Sequence, residues 1–129
     1  MTDGVPDFWR TLGLTVVDLG DADARFAIDC PDWVMSPFGT VHGGALSMIF
    51  DTALAVAVAR RLSPPEDRIA THQLTVSYSS FTTERRLACR TRIVSLARTV
   101  AVAEGEISEP EGKLVAKALA TFGVRRRAS

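Results

Sequence analysis

The sequence predicts an α+β fold in which one long apolar helix is enclosed by an antiparallel sheet. Residues 45–59 form the most apolar run of the chain, and most other segments alternate apolar with polar residues or are rich in β-branched residues. Short polar turns separate those segments, which favours antiparallel pairing. Together these observations indicate a curved sheet that wraps around a single helix.

The helix is apolar on nearly every side, and its apolar residues are Ala45, Leu46, Met48, Ile49, Phe50, Ala53, Leu54, Ala55, Val56, Ala57 and Val58. Such a helix is enclosed rather than laid on a surface. One short sheet cannot cover both of its sides, so we expect a second subunit to help; a core helix of a monomer is the alternative. The run is shorter than the roughly 20 residues of a membrane span and contains Asp51, so we expect no membrane insertion.

Four elements are predicted before the Pro-Pro pair at residues 64–65: a short helix, two strands and the long helix. Residues 6–11 are typical of a short N-terminal helix, since a proline suits the first turn. Residues 14–19 and 24–30 are strand-like and are joined by the turn GDAD. A loop with two prolines and a glycine covers residues 31–40. The helix then runs from about residue 43 to 61, where two arginines favour its C-terminal dipole and a Pro-Pro pair stops it.

Four further segments have the composition of strands, namely residues 69–81, 87–97, 99–107 and 113–124. They are separated by turns such as TTER and SEPEGK. The whole organisation is one or two strands, a long helix, and then three or four antiparallel strands.

Composition narrows the class of protein. The 129 residues are 47% hydrophobic, which suits one domain over residues 1–129. Lys plus Arg and Asp plus Glu are both 15, and this balance argues against a nucleic-acid partner. Cys30 and Cys89 match no metal-ligand spacing, so we expect small core residues in a reducing cytoplasm, with no metal and no cofactor. The N-terminus shows no secretory signal.

The stretch VHGGALSMIFD, residues 41–51, carries the strongest chemical signal. A helix N-terminus has unpaired N–H groups and the positive end of the helix dipole. Because glycine has no side chain, Gly43 and Gly44 would let a substrate carbonyl approach these N–H groups, as in an oxyanion hole. The alternative is that the glycines only permit tight packing or an unusual turn. His42 would cap the helix or orient the loop by hydrogen bonding.

Asp51 is the one carboxylate in this apolar helix. It lies seven residues after Gly44, on nearly the same helix face and about 10 Å further along. That is too far for both groups to act on one small reacting centre within a chain. If two such helices packed antiparallel across a dimer, Asp51 of one subunit would approach the glycines of the other. A hydrogen-bonded structural acid is the alternative.

Other candidates are weaker. Ser36 and Ser47 lack the G-x-S-x-G context of a nucleophilic serine. A zinc site is not expected, because the chain has only two histidines and no cysteine pair close to them. His72 faces either solvent or the cleft, depending on strand register, and a role without chemistry is the better interpretation.

These residues resemble the hotdog-fold thioesterases of the PaaI type, named for phenylacetate degradation. The resemblance rests on G-x-x-H-G-G (Gly39, His42, Gly43 and Gly44) and on Asp51 nine residues after the histidine. It continues through the apolar helix, the TVSY strand, an arginine opening the next strand at Arg98, and the ending EGKLVAKALATF, so that it covers about residues 8–124.

The resemblance implies a long helix wrapped by a five- or six-stranded antiparallel sheet, homodimers with a joined sheet, and often homotetramers. It also implies hydrolysis of acyl-coenzyme A thioesters. In that scheme the backbone N–H of Gly44, with Gly43, polarises the thioester carbonyl, and His42 steadies the loop. Asp51 of the partner subunit acts as general base or as nucleophile, and Thr71 orients the water.

The resemblance also suggests binding residues. Cations for the coenzyme A phosphates would come from Arg98, Arg85, Arg86 and the Arg125–Arg127 tail, Arg126 included, because guanidinium matches phosphate. An apolar acyl pocket would be lined by Trp33, Met35, Phe38 and Met48. The chain departs from the family at Ser36, since many members carry asparagine or glutamine six residues before the histidine.

Two other functions fit the same fold. One is a hotdog hydratase or dehydratase, whose catalytic histidine and acid occur in a different motif order. The other is a non-catalytic protein that binds acyl-coenzyme A, which the serine in place of an amide would allow. A purely binding protein has no need of a carboxylate beside a carbonyl site, so Asp51 favours hydrolysis.

Overall fold

A six-stranded antiparallel sheet packs against one face of a long helix, in a computed structural model that describes residues 7–62 and 67–126. The elements in chain order are α1 (Asp7–Leu12), β1 (Leu14–Leu19), β2 (Asp23–Asp29), a short 3-10 helix (Asp32–Val34), α2 (Gly43–Ala59), β3 (Arg68–Tyr78), β4 (Arg86–Leu96), β5 (Val100–Ser108) and β6 (Leu114–Arg125). The predicted α+β architecture is confirmed. Within the described residues no helix is long and apolar enough to cross a membrane.

The boundaries differ from the predicted ones by a few residues. Helix α2 ends at Ala59 rather than at residue 61. Strand β3 ends at Tyr78 rather than at residue 81, because the N–H groups of Ser79 and Ser80 both point to the Val115 carbonyl and the ladder stops there. The two prolines expected to stop α2, the proline expected to open α1 and the last three residues lie outside the described residues.

The order of the strands in the sheet is β1-β2-β4-β5-β6-β3. Strand β3 therefore lies at an edge, paired with β6 along its length, and its other side has no strand partner in the described part of the chain. An eleven-residue edge strand presents a long row of unpaired backbone groups, which is a template for pairing with another chain.

Helix α2 is buried on one face and half-exposed on the other. The buried residues are Ala45, Leu46, Ile49, Phe50, Ala53, Leu54, Ala57 and Val58. The half-buried row on the remaining side consists of Ser47, Met48, Asp51, Thr52, Ala55 and Val56. The sheet of one chain thus covers about half of an apolar helix, which agrees with the expectation that one sheet cannot enclose it.

The two cysteines belong to the core. Cys30 is 3% exposed and Cys89 is fully buried, and both are free thiols. Burial raises the pKa of Cys89 to about 12. Burial, together with the negative charge of Asp29, raises the pKa of Cys30 to about 11, although Arg85 acts in the opposite direction. Both thiols are therefore protonated in the folded protein at neutral pH.

We expect both thiols to resist a disulfide reagent at pH 8 in the folded protein and to react at once in guanidinium, because the thiolate is the reactive form. Unfolded thiols ionise near pH 9, so the free energy of unfolding should fall as the pH rises from about 9 to 11. The Cys30→Ala variant has Cys89 as its single thiol, so it separates the labelling rates of the two cysteines. Native labelling at the unfolded rate would contradict the burial of both thiols.

Candidate active site

His42 caps the N-terminus of α2. Its imidazole Nδ1 accepts a hydrogen bond of 2.9 Å from the Gly44 N–H, and the backbone N–H of His42 donates to the Val34 carbonyl at 2.8 Å. A Cβ at Gly44 would lie 3.1 Å from the imidazole, so the absence of a side chain lets the ring sit this close. The capping role expected for His42 is what the structure has, and it occupies the Gly44 N–H that we expected to face a substrate.

Gly43 supplies the free N–H of this helix start. In the described residues its N–H has no hydrogen-bond partner, and it lies at the positive end of the dipole of a 17-residue helix. Its carbonyl accepts a hydrogen bond of 2.8 Å from the Tyr78 hydroxyl, which is also 2.6 Å from the Ser47 hydroxyl. The Tyr78 ring lies 3.4 Å from where a Cβ of Gly43 would be. Tyr78 therefore fixes the first turn of the helix from the side of β3.

A cavity of about 470 Å³ opens at this helix start. It is lined by Ser36, Pro37, Phe38, Thr40, Val41, His42, Gly43, Leu46, Tyr78, Ser79, Ser80, Phe81, Thr82 and Val115. Phe38 is 89% exposed and Phe81 is 85% exposed, so two large aromatic rings stand open to solvent beside it. Its size fits a small or medium organic group, and the unpartnered N–H of Gly43 lies in its lining at the helix end.

Of the residues expected to line an acyl pocket, only Phe38 lines this cavity. Trp33 does not, because its indole N–H donates to the Thr11 carbonyl at 2.8 Å and ties the short 3-10 helix to the end of α1. Met35 and Met48 are half-buried against the core and do not line the cavity either. The sequence showed that these side chains are apolar and close to the helix start, but the loop conformation decides which of them face the cavity.

Ser36 lines the cavity but is engaged in a turn. Its hydroxyl lies 3.0 Å from the Thr40 hydroxyl and accepts a hydrogen bond from the Phe38 N–H, while its N–H donates to the Thr40 carbonyl. These bonds close the loop that leads to His42. Ser36 thus shapes the loop that leads to the helix start.

Asp51 is half-buried rather than buried, and it has a partner. Thr71 at the start of β3 donates its hydroxyl to Asp51 Oδ1 at 2.7 Å. A bulge makes this contact possible: Thr71 pairs with Phe122 and Gln73 with Thr121, so the residue between them is an extra one. Without the bulge, successive side chains of β3 would alternate between the two faces of the sheet, and Thr71 would lie on the same outer face as Gln73, away from the helix.

The extra residue in this bulge is His72. It is exposed, and its imidazole lies over Gly123, where a Cβ would be only 2.4 Å from the ring. The neighbours of Gly123 in β6, Phe122 and Val124, are buried on the helix side, so His72 lies on the outer face of the sheet. The interpretation of His72 as a residue without a part in the chemistry agrees with this position.

The two groups of residues lie apart within one chain. His42, Gly43 and Tyr78 line the cavity at one end of β3, whereas Asp51 and Thr71 meet near the other end and do not line it. A single chain therefore contains the two halves of the predicted site without bringing them together, as the spacing along the helix indicated.

The predicted phosphate-binding arginines are also away from this cavity. Arg98 and Arg125 are exposed at the far end of the sheet, in the β4–β5 turn and at the end of β6. Arg126 is held there, because its guanidinium donates to the carbonyls of Ala97 and Arg98 and pairs with Asp67 at 3.7 Å.

The other two candidate arginines lie at the start of β4. Arg85 pairs with Asp32 at 2.7 Å and donates to the Cys30 carbonyl, which gives it a structural role. Arg86 is exposed. No described arginine lines the cavity of its own chain.

Sequence reasoning missed the wall formed by residues 78–82. We assigned residues 69–81 to one strand, so Tyr78, Ser79, Ser80 and Phe81 did not count as site residues. A signal was present: Leu74, Val76 and Tyr78 share one face at a period of two, and the small polar residues after Tyr78 are typical of a strand end.

An apolar helix packed against a six-stranded antiparallel sheet, with an H-G-G turn at the N-terminus of the helix, is typical of hotdog-fold thioesterases. A model of the thioesterase superfamily matches residues 38–116. The chain belongs to the hotdog-fold thioesterase superfamily. Membership of this superfamily implies thioester hydrolysis.

Solved structures agree with this assignment. A phenylacetic acid degradation-related protein from Ralstonia eutropha is 31% identical, with a TM-score of 0.84, and the match covers 92% of this chain and 90% of that one. A conserved protein from Pseudomonas aeruginosa is 25% identical over 94% and 95% of the two chains, with a TM-score of 0.84. A thioesterase from Haemophilus influenzae shares the fold, with 19% identity over 92% and 82% and a TM-score of 0.86. Among curated proteins no sequence match is found.

We expect Tyr78→Phe to lower the free energy of unfolding by about 1 kcal/mol, because it removes the hydroxyl that binds the Gly43 carbonyl and keeps the ring that packs on the helix start. Ser47→Ala is the matched control, since it removes only the second partner of that hydroxyl and should cost less. Denaturant unfolding measures both. A larger loss in Ser47→Ala would show that the bond to the Gly43 carbonyl is not the one that holds the turn.

Proposed function

We propose that the protein hydrolyses acyl-coenzyme A thioesters to the free acid and coenzyme A, at a site shared by two subunits. The observation that carries the proposal is the unpartnered Gly43 N–H at the mouth of an open cavity, on the same helix whose half-exposed face presents Asp51. Membership of the superfamily gives the reaction class, and Gly43 and Asp51 are the groups of this chain that would carry out the reaction.

A homodimer built through β3 joins the two halves of the site. In antiparallel pairing of two β3 strands about Thr75, with His72 left out of the register as the extra residue of the bulge, Thr71 of one strand lies beside Tyr78 of the other. Asp51 of the partner subunit then approaches Gly43, and the half-exposed face of α2 becomes covered. The long open edge of β3 and the half-buried row on α2 support this arrangement. Hotdog thioesterases commonly oligomerise, and homotetramers would be built from such dimers.

The chemistry follows from the two half-sites. The thioester carbonyl oxygen accepts a hydrogen bond from the Gly43 N–H, which stabilises the negative charge of the tetrahedral intermediate. The Gly44 N–H joins when His42 turns away from it. Asp51 of the partner, oriented by Thr71, takes a proton from water, and the hydroxide attacks the carbonyl carbon. The C–S bond then breaks, and the thiolate of coenzyme A takes up the proton.

A covalent route uses the same groups. In that route Asp51 attacks the carbonyl carbon and expels the thiolate, forming a mixed anhydride that water cleaves. Either route needs the carboxylate close to the polarised carbonyl. Both therefore predict the same loss when the carboxylate is replaced by an amide.

The nucleotide of coenzyme A is expected to bind near Arg98 and Arg125. Antiparallel pairing of the β3 strands turns the far end of the partner's sheet, where these arginines are exposed, towards the cavity. Phe38 would contact the acyl group. A cytoplasmic location, where acyl-coenzyme A is formed and thiols stay reduced, accords with the two free cysteines.

Free thiol released from a panel of aryl and straight-chain acyl-coenzyme A compounds tests the proposal. We expect turnover of at least one class by the wild type and a fall in turnover on the order of 10² or more in Asp51→Asn, which keeps the shape and removes the base. Asp29→Asn, an exposed aspartate on β2, is the matched control and should retain activity.

Three results decide the matter. Near-normal turnover in Asp51→Asn would overturn the mechanism. No turnover by a folded wild-type protein, combined with measurable acyl-coenzyme A binding, would favour the non-catalytic alternative. Hydration of an enoyl thioester would favour a hotdog hydratase.

A further inference from the structure

A buried polar pair that the proposed chemistry does not use joins the cavity wall to the residue after β5. Glu109 is 7% exposed and Thr82 is 3% exposed. The Thr82 hydroxyl donates to Glu109 Oε2 at 2.6 Å. The ammonium group of Lys113 lies 3.3 Å from the same oxygen and donates to the Phe81 carbonyl at 3.2 Å. Removing a carboxylate from water is costly unless it is paired, so the pairing accounts for how Glu109 is tolerated but not for why it is there.

Glu109 is ionised at neutral pH. The hydrogen bond from Thr82 is the main cause that holds the pKa of this carboxyl below its ordinary value; the hydrogen bond from Lys113 and the charge of Lys113 act in the same direction, and burial opposes them. The Thr82 hydroxyl therefore donates to a carboxylate, and charge-assisted bonds of this kind are stronger than neutral ones.

Thr82 connects this carboxylate to the helix start. Its side chain binds Glu109, and its backbone carbonyl accepts a hydrogen bond of 3.0 Å from the Val41 N–H. Val41 directly precedes His42, and Thr82, Val41 and His42 all line the cavity. Glu109 is thus two hydrogen bonds away from the loop that leads into α2.

We infer that Glu109 and Thr82 are positioning residues, which hold the Val41–His42 segment and the cavity wall of residues 78–82 at a fixed place relative to each other. The inference rests on the proposed function for its effect on catalysis, because it assigns a support to the same cavity. Neither residue touches the reacting atoms in this scheme. Their effect reaches the reaction through the position of the helix start and through the width of the cavity.

The Thr82→Val variant tests the inference, since valine has nearly the same shape and lacks the hydroxyl. Thr91→Val is a matched control, because Thr91 is also 3% exposed, and its hydroxyl contacts the Ala24 carbonyl at 3.5 Å in the sheet instead of the cavity. Thr82→Ser restores a hydroxyl at the site. Glu109→Gln keeps an oxygen that accepts from Thr82.

Amide hydrogen exchange of the Val41 N–H is the first measurement, and it needs no substrate. We expect Thr82→Val to raise the exchange rate of this amide about tenfold or more, corresponding to the loss of a charge-assisted bond. Thr91→Val should leave that amide unchanged and Thr82→Ser should keep most of the protection, whereas Glu109→Gln, which keeps the hydrogen bond but not its charge, should raise the rate less than Thr82→Val does. An equal rise in Thr82→Val and Thr91→Val would overturn the inference, since it would reflect a general loosening of the fold.

Turnover is the second measurement. We expect kcat to fall about tenfold or more in Thr82→Val, because small misplacements at an active site have effects of this size. We also expect the ratio of turnover between short and long acyl groups to move closer to one. Thr82→Ser should recover both. Unchanged kcat and unchanged acyl preference in Thr82→Val would overturn the inference. Absence of turnover in the wild type would count against the proposed function alone, and the hydrogen-exchange result would then decide whether Glu109 and Thr82 are positioning residues.

Discussion

The burial of one face of α2 against the sheet is the constraint on which the site depends. A helix held along its length presents its first N–H groups and its single carboxylate at fixed places. Each large apolar side chain buried on this face stabilises the fold by roughly 1.5–3 kcal/mol, whereas a glycine costs a helix at most about 1 kcal/mol. Two or three residues such as Phe50 and Leu54 therefore outweigh the cost of starting the helix with two glycines.

The same constraint divides the site. Because α2 runs antiparallel to β3, its start lies beside Tyr78 and its middle lies beside Thr71. The cavity forms where the helix starts, and the carboxylate lies beyond it on the face that the chain's own sheet does not cover. The proposed hydrolysis therefore needs a second copy of the chain, and the open edge of β3 is where we propose that it pairs.

Most of the fold could be predicted from the sequence because its signals are periodic or local. The apolar run, the alternating strands and the polar turns indicated the elements to within a few residues, and the H-G-G turn does lie at a cavity. Which aromatic residue of the β2–α2 loop lines the cavity could not be predicted, since Trp33 and Phe38 are both apolar and the conformation of the loop decides which of them faces it. The bulge that turns Thr71 towards Asp51 breaks the period of two, and the engagement of the Gly44 N–H by His42 depends on a side-chain rotamer.

The central claim is that each site is made by two subunits, and mixed dimers test it most directly. Asp51→Asn and Gly43→Val subunits, each inactive alone, are unfolded together in equal amounts, refolded and assayed for release of thiol. If the site is shared, half of the dimers are mixed and each of these has one intact site, so activity should return to about a quarter of the wild-type value. No recovery, with mixed dimers shown to be present, would mean that Gly43 and Asp51 act within one chain and would contradict the account.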